Sequence, residues 1–180
     1  MRFIELFKAS RLRRNPYFLF SPFLILYVLI ALILHNDANV GDEGRYLSFA
    51  HNLLEGYYSP PAPNIILTNG PGYPLMIMPF LGLKLPLICI SLMNAILYYL
   101  SVVLLYKAVL NTVNQKMAVI TGLFWACYFN AYESIPYILS ELLTIFLVSL
   151  FLLMLVKLFK SERQSDVRLF LWLSGLAFGY

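Results

Sequence analysis

The stretch PLICISLMNAILYYLSVVLLY, Pro86–Tyr106, decides the fold class, because it runs from end to end without a charged residue. A helix needs about 20 mainly apolar residues to cross a bilayer, since lipid offers its backbone no hydrogen-bond partner. Working outward, Tyr17–Leu34, Met117–Tyr132 and Leu169–Tyr180 are also uncharged, and Ile138–Val156 carries only Glu141. Composition agrees: 61% of the 180 residues are hydrophobic and 12% are charged, where a soluble domain carries about a quarter charged. The expected fold is all-α, a polytopic transmembrane helical protein with spans near 17–35, 86–106, 117–132, 138–156 and 169–180.

The last of these is incomplete, because twelve residues reach only about 18 Å of a hydrocarbon core about 30 Å thick. A natural protein rarely stops there, so the chain is expected to be the N-terminal part of a longer one. Residues 1–15 form a basic arm, with Arg2, Lys8, Arg11, Arg13 and Arg14 against Glu5. The arm and the run behind it resemble a signal peptide. The run is long, however, and no small-residue cleavage site follows, so it reads as an uncleaved first span opening a transmembrane domain over 16–180.

Residues 36–73 are the one long polar stretch. Within it, Tyr46, Leu47, Phe49, Ala50, Leu53 and Leu54 repeat at helical spacing, and Gly56 is placed to end the helix. This predicts an amphipathic helix on the membrane surface, followed by a Pro- and Gly-rich loop. Pro79, Gly82, Lys84 and Pro86 break the next apolar run, so 74–83 reads as an interfacial or re-entrant helix.

Charge sets the orientation. Arg2, Lys8, Arg11, Arg13, Arg14, Lys107, Lys116, Lys157, Lys160, Arg163 and Arg168 all fall on one side. Arg45 and Lys84 fall on the other, with Asp37, Asp42, Glu43, Glu55, Glu133 and Glu141. Positive-inside bias makes the first side cytoplasmic and the 36–73 loop external, in the plasma (inner) membrane. That bias also accounts for the net charge of +4 without a nucleic-acid partner. Cys89 and Cys127 lie in apolar runs and read as small buried hydrophobes.

Asp42 and Glu43 open the predicted surface helix. Adjacent carboxylates at a bilayer boundary can take a proton from a hydroxyl or bind a divalent metal ion. Helix capping is the competing reading for Asp42. Arg45 can pair with Asp42 one turn away, and Lys84 can snorkel to the interface. Glu141 either lines a site or caps a helix beside Ser140. Glu133 reads as loop. His35 and His51 have no second ligand at metal spacing. Tyr57, Tyr58, Tyr73, Tyr132 and Tyr137 fall at outer boundaries, where aromatic belts form.

Three motifs stand in order: Gly41-Asp42-Glu43-Gly44-Arg45-Tyr46, Ala50-His51-Asn52-Leu53-Leu54-Glu55-Gly56 and Pro71-Gly72-Tyr73-Pro74-Leu75. Together with Leu139-Ser140-Glu141-Leu142-Leu143 and Leu104-Leu105-Tyr106-Lys107, this order resembles the membrane glycosyltransferases of the GT-C superfold. The resemblance is to the branch of protein O-mannosyltransferases and aminoarabinose transferases. It implies sugar transfer on the outer face from a polyprenyl- or dolichyl-phosphate donor to a lipid, glycan or protein acceptor. Asp42, with Glu43 beside it, would be the catalytic base or metal-linked carboxylate. Arg45, Lys84, Glu141 and Tyr73 are the residues available to donor phosphate or sugar, and any metal would fall to Asp42 and Glu43. The chain departs from the pattern at Thr68-Asn69-Gly70, where several such enzymes carry a charged pair. A transporter or flippase, and a non-catalytic membrane subunit, are the alternative readings.

Overall fold

The computed structural model describes residues 15–36, 41–60, 63–65, 70–160, 167–172 and 175. Every regular element among them is a helix. In chain order these are α1 (Pro16–Leu19), α2 (Ser21–Leu34), α3 (Glu43–Leu54), α4 (Gly72–Gly82), α5 (Ile88–Thr112), α6 (Gln115–Ala126), α7 (Phe129–Ser134) and α8 (Glu141–Lys160), with 167–172 helical beyond them.

The all-α expectation holds, and local chemistry sets the helix ends. Asn15 Oδ1 accepts the Tyr17 N–H at 3.1 Å to start α1, and Asn114 Oδ1 accepts the Met117 N–H at 2.9 Å to start α6. Pro22 has no N–H for the Phe18 carbonyl. The Ser21 hydroxyl donates to that carbonyl instead, at 2.9 Å, and the chain kinks at Phe20. Helices α3 and α4 both end in a paired reverse hydrogen bond around a left-handed residue. After α3 that residue is Gly56, at φ +90°, with Tyr57 N–H donating to Asn52 O and Gly56 N–H to Leu53 O. After α4 it is Lys84, at φ +53°, with Leu85 N–H donating to Phe80 O and Lys84 N–H to Leu81 O.

Helix α5 is the hub, packing on α2, α6 and α8, while α3 pairs with α4. One core cluster gathers Phe20, Tyr27, Tyr98, Val102, Tyr106 and Ala118; a second gathers Tyr46, Tyr73, Ile77, Ile90, Ile138 and Leu143. Gly122 lets α6 close on Phe20, whose ring edge would lie 2.5 Å from any Cβ placed there. Helix α6 stops short at Ala126, leaving its last carbonyls without intrahelical partners. Tyrosines supply those partners: Tyr27 OH (2.7 Å) and Tyr132 OH (2.5 Å) donate to Ala126 O, and Tyr98 OH (2.5 Å) donates to Trp125 O.

Among the described residues two helices, α5 and α8, are long and apolar enough to cross a membrane; α2 and α4 are shorter apolar helices. Helices α5 and α8 correspond to the expected spans 86–106 and 138–156, but α5 continues past Tyr106 to Thr112. It can do so because Lys107 folds back, donating to Tyr17 OH at 2.8 Å with its ammonium 4.2 Å above that ring. The expected span 17–35 is two helices kinked at Phe20. The expected span 117–132 is broken at Cys127–Tyr128 into α6 and α7. At twelve residues α6 is about 18 Å long, too short to cross alone. Glu133 is helical, in α7, rather than loop. The helix expected at 74–83 as interfacial or re-entrant begins two residues earlier, at Gly72. The basic arm apart from Asn15, and most of the fifth apolar segment, lie outside the described residues.

Hydrogen bonds sort the helix ends onto two poles. His35, the start of α5 and the α7–α8 connection meet at one; Tyr17, Lys107, Asn111 and Lys160 meet at the other. Among the described residues all five carboxylates (Asp42, Glu43, Glu55, Glu133, Glu141) belong to the first pole, with Arg45 and Lys84. Lys107, Lys116, Lys157, Lys160 and Arg168 belong to the second.

Candidate functional site at the loop pole

The connection from α7 to α8 is held residue by residue. Pro136 O accepts from Ser91 Oγ at 2.9 Å, and Ser91 Oγ also meets His35 Nδ1 at 2.9 Å. Tyr137 O accepts from Asn94 Nδ2 at 2.7 Å. Ile138 N–H donates to Glu43 Oε1 at 2.7 Å, and Ser140 Oγ meets Tyr46 OH at 3.0 Å. The sequence folds this way because Ser91 and Asn94 lie three apart on one face of α5, and Glu43 and Tyr46 lie three apart on one face of α3. Two helices thus present two polar groups each to a short stretch of backbone between them.

Glu43 is only 3% exposed. A buried carboxylate is costly unless charge-assisted hydrogen bonds compensate it. Here it accepts a backbone N–H just ahead of α8, where the positive end of that helix's dipole adds to the attraction. Glu43 is therefore a strut. Neighbouring positions on a helix differ by about 100°, so Asp42 falls on the other side, with its side chain 52% exposed and paired to Arg45 at 2.7 Å. The capping reading of Asp42 is corrected. Its backbone is already helical (φ −76°, ψ −16°), its carboxylate makes no cap bond, and it goes to Arg45 instead.

The expected pair of open carboxylates is thus not formed. Among the described residues no group of three or more His, Cys, Asp or Glu could hold a metal ion. No step below runs through a metal ion. Tyr73 is 1% exposed and packs its ring edge-on to Tyr46 at 5.1 Å, in the core between α3 and α4. Glu141 is exposed in the first turn of α8, and Lys84 is exposed in the turn after α4. His51 lies 3.4 Å from Glu55 and His35 is taken up by Ser91, which leaves both histidines structural.

Beside the clamp lies a cavity of about 510 Å³ lined by Leu34, Glu133, Pro136 and Tyr137. It offers a carboxylate and a phenol on an otherwise apolar wall. Just past the end of α3, the Tyr57 hydroxyl donates to Glu55 at 2.7 Å, and that bond raises its pKa; burial raises that of Tyr58. Sequence reasoning missed Ser91, Asn94, Tyr46 and Ser140 as a unit. The signal available was Asn94, an amide in the middle of an apolar run.

No family, characterised protein or solved structure matches the chain.

Proposed function

We propose that the chain is a multi-pass membrane protein, with a cytoplasmic N-terminus, whose external loop pole transfers a sugar from a polyprenyl-phosphate donor to an acceptor. The observation that carries the reading is Asp42: a solvent-facing carboxylate at the start of a helix that Glu43 and Tyr46 tie to α8. A base tied down in this way is preorganised for proton abstraction. The membrane part is supported by α5 and α8, and by outward apolar side chains such as Ile33, Phe124 and Phe159, which are 73%, 74% and 83% exposed. Such surface is costly in water and favourable in lipid. The charge difference between the two poles supports the orientation.

In this mechanism an acceptor hydroxyl attacks the anomeric carbon, the bond from that carbon to the phosphate oxygen breaks, and Asp42 takes the hydroxyl proton. Arg45 neutralises Asp42 at rest. An arriving donor phosphate competes for its guanidinium, which would stabilise the leaving group and release the carboxylate together. Glu43 acts as a positioning residue. The experiment is transfer from labelled polyprenyl-phosphate sugars by membranes carrying wild type, Asp42→Asn or Arg45→Gln. Asp42→Asn should abolish transfer with insertion unchanged, and full activity in that variant would remove Asp42 from the chemistry. The helix broken at Cys127–Tyr128 favours a transporter as second reading. Donor uptake into vesicles without transfer would establish it.

A further inference from the structure

We infer that the crevice between the last turns of α5 and α8 binds the phosphodiester headgroup of an anionic membrane lipid. The site lies at the pole opposite Asp42 and is independent of sugar transfer; it rests only on the membrane reading. The crevice encloses about 400 Å³ and is lined by Asn111, Met154, Lys157, Leu158, Lys160 and Leu169. That volume is on the scale of small-molecule sites and more than ten times a water's share of about 30 Å³.

Its chemistry is two-sided. Lys157 and Lys160 are three apart on α8, so their ammonium groups share one face and repel each other. Lys160 donates to the carbonyl of Asn111 in the last turn of α5, where the negative end of the helix dipole attracts a cation. Orientation bias explains why lysines collect on this side. It does not explain why two of them line a cavity. The remaining wall is apolar, from Met154, Leu158 and Leu169. A free inorganic anion would satisfy the lysines and leave that wall wet, whereas a lipid supplies phosphate to one side and the root of its acyl chains to the other. Depth agrees. The twenty residues of α8 rise about 30 Å, the thickness of a hydrocarbon core, which puts its last turn at headgroup level.

The test is native mass spectrometry of the delipidated protein in a neutral detergent, titrated with phosphatidylglycerol, phosphatidylcholine or soluble glycerol phosphate. Phosphatidylglycerol should occupy one site at concentrations where the other two do not. Lys157→Gln should weaken that binding about fivefold, the effect of one lysine at an anionic membrane surface. Lys116→Gln removes a charge from the same pole outside the crevice, and should change it less than about twofold. Matching melting temperatures of both variants in phosphatidylcholine would show that folding is intact. Equal binding of the two lipids, equal effects of the two substitutions, or glycerol phosphate binding as tightly as the lipid would each overturn the proposal. Flotation with phosphatidylcholine vesicles separates the two levels: a chain that floats without selecting phosphatidylglycerol refutes the site alone. One that floats with neither lipid refutes the membrane reading beneath it.

Discussion

Replacing Glu43 with Ala tests the clamp most directly. The substitution removes the acceptor of the Ile138 N–H, leaving a buried donor unpaired at a cost of about 1–3 kcal/mol. It also deletes one buried methylene, worth about 0.8 kcal/mol. Against this, an expensive buried charge disappears. The balance is a loss of about 2–3 kcal/mol, concentrated at the junction of α3 with α8. Glu43→Gln keeps an acceptor oxygen of nearly the same shape and should lose less than about 1 kcal/mol. Hydrogen exchange of the amides in 136–140 reads this locally. In Glu43→Ala the Ile138 amide should exchange roughly 30- to 150-fold faster, while mid-α5 amides such as Val102 hold their protection. In Glu43→Gln it should stay within about fivefold of wild type. If Ile138 exchanges equally in Ala and wild type, the strut contributes nothing. If Gln behaves as Ala does, the negative charge and not the acceptor geometry was holding the junction.

Gly122→Ala should destabilise by about 1–3 kcal/mol in thermal melts, because its Cβ would lie 2.5 Å from the Phe20 ring; Phe20→Leu in the same chain should recover part of that loss. Lys84→Gly should raise stability by up to about 1 kcal/mol, since it relieves a left-handed conformation that costs an L-residue about that much; an unchanged melting temperature would mean the turn carries no such cost. Tyr27→Phe and Tyr132→Phe should each cost about 1 kcal/mol. The double variant should cost more than their sum, because both hydroxyls serve Ala126 O and only joint removal leaves it bare; strict additivity in a double-mutant cycle would refute the sharing.

What was legible in the sequence was whatever depends on neighbours along the chain. The apolar runs around Asn94 and Val148 announce α5 and α8, and Gly56 stops α3 where a residue free to take positive φ was expected. The end of α6 was not legible. Nothing near Cys127 is a proline or glycine; the helix ends where it does because tyrosines from α2, α5 and α7 take up its carbonyls. Lys107 hid the true length of α5, since a charge that folds back onto Tyr17 looks in sequence like a charge that leaves the membrane. At the candidate site, adjacency suggested that Asp42 and Glu43 act together. Which of two neighbouring carboxylates turns inward depends on the Ile138 amide, 95 positions away in the chain.

The tyrosines around the end of α6 also have a kinetic meaning. Tyr27 lies 99 positions before the carbonyl it serves and Tyr98 lies 27 before its own. A carbonyl kept from water without a partner is unfavourable at every moment of assembly, not only in the finished state. Helix α6 therefore gains its final boundary only after α2 and α5 have met and formed the notch that receives it. The docking of α2 on α5 is then a step that sets the pace, and a substitution at Tyr27 or Tyr98 should slow the gathering of the bundle more than it hastens its loss.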